Sequence, residues 1–184
     1  MPIPTIHDIA SLLSAVEQGV APAPLFFWGH QTDTNGQPAK ACLSQWYPAN
    51  FEVDGVHYPT AEHYMMAEKA RLFGDEAVCA QILSSKTPKM AKDLGRAVRG
   101  FDSTIWQQQR VAVVERGNLA KFAQNPALLR YLLSTGDQVL VEASPYDTIW
   151  GIGLAENDPR ASNPLQWRGQ NLLGFVLMAV RLRL

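Results

Sequence analysis

Apolar residues recur at intervals of three and four along much of the chain, and this period predicts amphipathic helices. Seven segments follow the pattern, beginning near Thr5, Thr60, Asp75, Thr87, Thr104, Asn125 and Leu172. Most of them start with a capping side chain or with proline in the first turn. The longest is predicted over 104–123, with Asp102 or Ser103 as its cap. Its predicted core face comprises Ile105, Ala112, Val113, Leu119 and Phe122.

Short runs rich in aromatic and β-branched residues predict the strands. They are expected at 25–28, 43–47 and 139–141, and a hairpin is expected over 51–58. Asp54-Gly55 lies at the centre of the hairpin, where a type I′ turn needs two residues with positive φ. The whole pattern predicts an α+β chain that is mainly helical and has a small antiparallel sheet.

A short connector separates the first helix from the rest of the chain. Thr5 and Asp8 have the spacing of a capping box at the start of that helix, and Gly19 ends its pattern. The Ala-Pro-Ala-Pro of residues 21–24 is typical of stiff, extended backbone. We expect residues 1–20 to be an appended helix and residues 21–184 to form one compact domain.

The helix that begins at Thr60 carries charged and apolar side chains on the same face. At about 100° per residue, Glu62, Met66 and Lys69 lie along one stripe. If that stripe faces inward, both charges are desolvated at high cost, and a groove for a polar or charged ligand would explain them. If it faces solvent, Glu62 and Lys69 form an ion pair worth roughly 0.2–0.5 kcal/mol. From this helix alone, the exposed ion pair is the simpler interpretation.

Two later segments carry further candidate side chains. Arg96 and Arg99 lie close to glycines and could clamp a phosphate, although such arginines are usually solvated. In the loop that follows residue 143, Asp147 precedes Trp150 between glycines. That combination suits either a flat ligand or an ordinary Asp turn beside a buried tryptophan.

Bulk composition narrows the class of protein. The chain has 184 residues, of which 47% are hydrophobic, enough for one domain core. Its formal net charge of −1 gives no global attraction to nucleic acid. The two cysteines favour a reducing, cytoplasmic location. The four histidines lack metal-site spacing, so no metal is expected, and no apolar run predicts a membrane span.

Several short motifs, taken in order, resemble the NADAR-domain family of YbiA-like N-glycosidases. They are residues 26–29, 43–48, 58–70, 95–96, the Trp106 region, 120–122, 140–143, Asp147 with 150–153, and 169–174. The resemblance spans about residues 25–182 and leaves out the first helix. The chain departs from the family at Gln45-Trp46, where Asn-Phe is usual, and at Met66 and Glu68, where Gln is frequent. These departures bear on substrate preference more than on the reaction class.

The resemblance implies a compact, mainly helical fold with a small sheet. It also implies hydrolysis of the N-glycosidic bond between a ribose carbon and a base or base-like amine, without a cofactor. The substrates it implies are phosphoribosylamino-pyrimidine intermediates of early riboflavin synthesis, or ADP-ribose attached to guanine in nucleic acid. A non-catalytic module that binds ADP-ribose or a related nucleotide is the remaining alternative.

The same resemblance implies roles for individual residues. Glu62 is expected to be the principal catalytic carboxylate and Asp147 the second, by analogy with glycoside hydrolysis. Lys69 would keep Glu62 ionised or, alternatively, act as a nucleophile through a Schiff base. Trp28 and Trp150 are expected to stack the base or line its pocket, Arg96 to bind phosphate, and Asn171 with Gly151 to bind the sugar or diphosphate. Trp106 is a further expected substrate-binding residue.

Overall fold

The computed structural model describes residues 6–30 and 38–184, which contain all of the helices and strands named below. In chain order they are α1 (Ile9–Glu17), β1 (Pro24–Phe27), β2 (Phe51–Val53), β3 (Val56–Tyr58), α2 (Ala61–Leu72), α3 (Glu76–Ser84), α4 (Pro88–Arg96), α5 (Ser103–Ala123), α6 (Pro126–Ser134), β4 (Val139–Glu142) and α7 (Leu172–Arg183). Short 3-10 helices occupy Lys40–Leu43 and Pro164–Gln166. The predicted mainly helical α+β fold is confirmed.

Helix α2 lies at the centre of the molecule and packs against α3, α4 and α5. Thr60 caps it as predicted, because its hydroxyl accepts a hydrogen bond from the His63 backbone N–H. A Cβ atom on Gly95 of α4 would lie 2.0 Å from the Met66 sulfur. A Cβ on Gly117 of α5 would lie 2.4 Å from the Tyr64 ring. The two glycines therefore let both helices approach α2 closely, which buries almost its whole first two turns.

Two small sheets lie around these helices. Strands β2 and β3 form the predicted antiparallel hairpin, and Asp54 and Gly55 have the positive φ angles that its turn requires. Strands β1 and β4 pair in parallel, from Pro24 opposite Val139 to Phe27 opposite Glu142. This second pairing, which the sequence pattern did not predict, brings the carboxyl ends of β1 and β4 side by side.

The strand predicted at 43–47 is wrong. The chain instead forms the 3-10 helix Lys40–Leu43 and then a turn. The ammonium of Lys121, which is fully buried, donates hydrogen bonds to the carbonyl oxygens of Cys42 and Ser44 at 2.7 and 2.8 Å. These carbonyls are thus bonded by a side chain of α5 rather than by a neighbouring strand.

The predicted core face of α5 is also wrong in part, since Ile105 and Ala112 are exposed. Asp102 caps the helix, in agreement with one of the two predicted caps. The residues that α5 buries are Val114, Gly117, Asn118, Lys121 and Phe122. Two of these five are polar, so a search for apolar periodicity assigns the wrong face.

Helix α1 packs on the body through Leu12 and Ala15, both fully buried. Asp8 caps it, with Ser11 completing the capping box, whereas the predicted cap Thr5 lies outside the described residues. The division of the chain at residue 20 stays a prediction. Within the part of the chain that the structure describes, each helix is too short or too polar to cross a lipid bilayer.

Candidate functional site

Glu62 lies in the first turn of α2 with its side chain inside the protein, and the residue is only 3% exposed. Its backbone N–H donates to the carbonyl of Gln45 at 3.0 Å. Within the described residues, its Oε1 atom is buried and has no hydrogen-bond partner. The stripe identified in the sequence therefore faces inward, and the interpretation as an exposed ion pair is wrong.

The environment of Glu62 combines burial with opposing charges. Burial raises the pKa of Glu62 to about 7, because the charged form loses its hydration. Lys92 and Arg96 of α4 and a hydrogen bond from the Trp46 side chain act in the opposite direction, while Asp147 adds to the increase. Glu62 is thus balanced between its two protonation states near neutral pH, which suits a general base.

Asp147 occupies the loop after β4. Its Oδ1 atom accepts hydrogen bonds from the backbone N–H groups of Ile149 and Trp150 at 2.8 and 2.7 Å. The residue therefore makes the predicted Asp turn and also acts electrostatically on Glu62. Arg110 of α5 interacts electrostatically with the same carboxylate: burial lowers the pKa of Arg110, and Asp147 raises it.

Lys69 makes different contacts from those that its helical spacing predicts. Its ammonium donates to the carbonyl of Gly95 at 2.7 Å and lies 4.2 Å from the centre of the Phe101 ring. Burial and the nearby Arg96 lower the pKa of Lys69. The cation that lowers the pKa of Glu62 most is Lys92 of α4. Lys92 therefore has the effect on Glu62 that was predicted for Lys69.

The two arginines predicted as a phosphate clamp have separate environments. Arg99 binds Asp75 through its Nε and NH2 atoms at 3.1 and 2.7 Å, and its backbone N–H bonds the same carboxylate. Arg96 has a side chain that is 72% exposed and lies one helical turn after Lys92. The clamp with Arg99 is therefore wrong, and the cations available beside Glu62 are Lys92 and Arg96.

One tryptophan, Trp46, is associated with Glu62, and another, Trp28, lies near Asp147. Trp46 favours the ionised form of Glu62, and its ring lies 5.5 Å from the ring of His30 and 5.7 Å from the Lys92 ammonium. Trp28, at the end of β1, is 53% exposed and lies 6.3 Å from the ring of Tyr146, the neighbour of Asp147.

The other two predicted tryptophans differ in their placement. Trp150 is half-buried and lies in the Asp147 turn. Trp106 is half-buried on α5, with its ring centre 5.9 Å from the Lys69 ammonium. Trp28 and Trp150 therefore accompany Asp147, whereas Trp106 lies with Lys69.

Gly151 and Asn171 both lie against the backbone of β4, and the predicted contact of Gly151 with the substrate stays a prediction. A Cβ on Gly151 would lie 2.8 Å from the carbonyl oxygen of Glu142, so only glycine fits there. Asn171 is fully buried, and its side chain accepts from the Glu142 N–H and donates to the Leu140 carbonyl, both at 2.9 Å. The prediction that Asn171 bonds the sugar is corrected, because its amide is used to fix β4.

A sequence model of the NADAR domain matches residues 26–184 of this chain. The chain belongs to the NADAR family. N-glycosidase R617 of Acanthamoeba polyphaga mimivirus is 46% identical over 144 residues, which cover 76% of this chain and 85% of that protein. Riboflavin biosynthesis protein VVA0006 of Vibrio vulnificus is 31% identical over 171 residues, covering 93% of this chain and 41% of that protein. The NMR structure of the Escherichia coli protein YbiA superposes with a TM-score of 0.71 at 27% identity, covering 89% of this chain and 86% of that chain.

These similarities confirm the family and the fold that the motifs predicted. They also confirm the predicted enzyme class, a hydrolase acting on N-glycosyl bonds, since several curated relatives are named N-glycosidases.

The candidate site of this NADAR domain also contains side chains that were not predicted from the sequence. Glu142 ends β4, and burial raises its pKa to about 8, with further increases from Asp147 and Glu62. Lys92 acts on both glutamates. The sequence does contain a signal for Glu142: it is a charged residue directly after the apolar run Val139–Val141, and it lies inside a family motif.

The three acidic side chains of this NADAR domain influence one another without forming a metal site. Among the described residues, no group of three His, Cys, Asp or Glu side chains is placed to hold a metal ion. Two cavities, of about 330 and 450 Å³, lie elsewhere: one beneath α1, and one beside the start of α6. The chemically distinctive part of the domain is thus the carboxyl cluster of Glu62, Glu142 and Asp147 with the cations Lys92, Arg96 and Arg110.

Proposed function

We propose that this protein hydrolyses the N-glycosyl bond between a phosphorylated ribose and a base-like amine. The observation that carries the proposal is the buried carboxyl of Glu62, whose Oε1 has no partner among the described residues and which lies among opposite and like charges. A buried, unpaired carboxyl lowers stability, and such groups are common where chemistry requires them.

Breaking a ribosyl C–N bond builds positive charge on the sugar and negative charge on the departing nitrogen. In the proposed mechanism, Glu62 removes a proton from a water molecule as it attacks the anomeric carbon. Asp147 stabilises the cationic sugar or holds its hydroxyl groups. This division of labour follows glycoside hydrolysis, in which two carboxyl groups act on opposite sides of the bond.

The surrounding residues fit a phosphorylated, aromatic substrate. Lys92 and Arg96 project from neighbouring turns of α4 and would receive the phosphate, for which arginine offers a planar set of donors. Trp28 and Trp150 accompany Asp147 and would contact the flat amine. We therefore propose a phosphoribosylamino-pyrimidine of early riboflavin synthesis as the substrate, in keeping with the relative named as a riboflavin biosynthesis protein.

ADP-ribose linked to guanine in nucleic acid contains the same class of bond and is the competing substrate. The formal net charge of −1 gives little general attraction to a polyanion. A long nucleic-acid footprint would instead make affinity depend steeply on salt. The metabolite is favoured on this ground.

We propose a cytoplasmic location for the enzyme. Cys42 and Cys79 are both free and buried, which agrees with a compartment that keeps thiols reduced.

The function is tested by incubating the pure protein with each substrate class and following release of the free amine or guanine by mass spectrometry. Release from the phosphoribosylamino-pyrimidine, lost in Glu62→Gln, supports the proposal. Release only from ADP-ribosylated DNA or RNA, with affinity that falls as salt rises, would assign the nucleic-acid substrate instead. Calorimetric binding of ADP-ribose with no release from either substrate would indicate a binding module.

A further inference from the structure

Glu142 is held in place through its backbone. Its N–H donates to Asn171 and its carbonyl accepts from the Ile152 N–H at 3.0 Å. In a strand, alternate side chains face opposite sides, and Val139 and Val141 line the cavity beneath α1. Glu142 therefore projects from the other face of β4, together with Leu140, toward the interior.

Charged groups from several elements act electrostatically on the Glu142 carboxyl. Glu62 belongs to α2 and Asp147 to the loop after β4, and both are acidic. Lys92 of α4 is the cation that opposes them. Within the described residues, the Oε2 atom of Glu142 is buried without a hydrogen-bond partner. An unpaired carboxyl facing two other acids is most stable in its neutral, protonated form.

The two glutamates have different surroundings, which separates their roles. Glu62 has the Trp46 donor and the cations Lys92 and Arg96, and all three favour its ionised form. Asp147 acts on both glutamates and the two repel each other, but of the groups that favour an ionised carboxyl Glu142 has only Lys92. Pairs of carboxyl groups that the protein drives apart in this way commonly divide acid and base work between them.

We propose that Glu142 is the proton donor to the leaving nitrogen, a role that rests on the N-glycosidase function proposed above. Water adds its oxygen to the anomeric carbon and gives one proton to the Glu62 carboxylate. The C–N bond breaks, its electron pair stays on nitrogen, and the proton of the Glu142 carboxylic acid passes to that nitrogen. The products are the free amine and the ribose phosphate. Transfer of the proton from Glu62 to Glu142, directly or through water, restores the starting state.

The test compares two substrates that carry the same phosphorylated ribose and differ in whether their leaving group needs a proton. One is the phosphoribosylamino-pyrimidine, and the other is para-nitrophenyl ribofuranoside phosphate, whose leaving group departs as a stable anion. Glu142→Gln keeps the size of the side chain and removes its transferable proton. We expect kcat for the amine to fall roughly 100- to 10,000-fold and kcat for the nitrophenyl substrate to fall less than about tenfold. Glu62→Gln should lose activity on both substrates. The control is the exposed Glu76→Gln, which should lose activity on neither substrate.

Equal losses on both substrates, or no loss on either, would overturn the role of Glu142 while leaving the proposed function in place. A wild-type protein that releases neither leaving group would instead overturn the proposed function. If Glu142→Gln does not fold, as judged by circular dichroism, the wild-type pH profiles decide. A falling alkaline limb of kcat for the amine that is absent for the nitrophenyl substrate supports the proposal, and identical limbs contradict it.

Discussion

Asn171 accepts a hydrogen bond at 2.9 Å from the backbone N–H of Glu142. The bond joins the residue that precedes α7 to the last residue of β4, at the point where the chain turns into the Asp147 loop. Asn171 has a φ of 52°, a left-handed conformation that Asn tolerates better than most residues. The backbone behind the carboxyl cluster is thus held by one buried amide.

Removing that amide should destabilise the fold. Asn171→Gly keeps the left-handed backbone comfortable but leaves the Glu142 N–H and the Leu140 carbonyl unpaired, which should cost roughly 1–3 kcal/mol of unfolding free energy. Asn171→Ala should cost more, because alanine adds strain at positive φ. Urea unfolding measures both, with the exposed Asn157→Ala as control. Unfolding free energies that match wild type in both variants would show that the amide does not hold β4.

The elements that the sequence predicts well are those set by local chemistry. The hairpin follows from Asp54-Gly55, and α4 begins at Pro88 and ends at Arg96 as its proline and glycine signals indicate. The segment at 43–47 fails because the Lys121 ammonium, distant in sequence, takes its carbonyls. Such a partner leaves no trace in local periodicity.

Lys121 should contribute to stability through those same bonds. Lys121→Met keeps most of the side-chain volume but leaves the carbonyls of Cys42 and Ser44 without their donor, so we expect a loss of about 2 kcal/mol. Chemical denaturation at neutral pH measures it, and Lys86→Met on the surface is the control. An unchanged midpoint and slope for Lys121→Met would contradict this account of the 3-10 helix Lys40–Leu43.

The stability of the protein should fall as pH rises through neutrality. Burial raises the pKa values of Glu62 and Glu142 from 4.5 to about 7 and about 8, so the folded state holds protons that the unfolded chain releases. Their stabilising protonation is complete at acid pH and is lost as pH rises through those values. Glu142→Gln should therefore come closest to wild type below about pH 4, where Glu142 is protonated in both the folded and the unfolded chain, and should gain on it by several kcal/mol, at most about 5, by about pH 9.

Urea titrations of both proteins at a series of pH values test this prediction. Comparing the two proteins cancels the other groups that titrate in the same range, such as Lys121, whose pKa burial lowers to about 8. Parallel stability curves for wild type and Glu142→Gln would show that Glu142 titrates normally in the folded protein.

Some residues of the candidate site can be identified from local sequence, and others depend on contacts between elements that are distant in the chain. Glu62, Asp147 and Glu142 all lie within motifs, but the sequence identifies only Glu62 and Asp147 as candidates, and their catalytic roles stay predictions. Lys92 and Glu142 belong to α4 and β4, and their approach to Glu62 depends on how these elements pack around α2. Helical spacing correctly placed Lys69 on the same stripe as Glu62. It does not predict the direction of the flexible Lys69 side chain, which ends at the Gly95 carbonyl.

Arg96 should distinguish phosphorylated substrates from their dephosphorylated counterparts. Its guanidinium is largely exposed, so Arg96→Ala should leave stability nearly unchanged. Losing a charge-assisted bond to phosphate should raise KM for the phosphorylated substrate about tenfold or more and leave KM for the riboside unaffected. Steady-state kinetics on the matched pair measure this, with the exposed Lys89→Ala on the same helix as control. An equal change in both KM values would remove Arg96 from phosphate binding.

The most direct test of the account is the turnover of Glu62→Gln on the phosphoribosylamino-pyrimidine substrate, with its melting temperature measured in the same buffer. The variant keeps the shape of a fully packed side chain and removes the ionisable carboxyl. We predict a fall in kcat of roughly 100- to 10,000-fold with no decrease in melting temperature. A folded variant that retains more than about a tenth of wild-type kcat would contradict the assignment of Glu62 as the catalytic carboxylate.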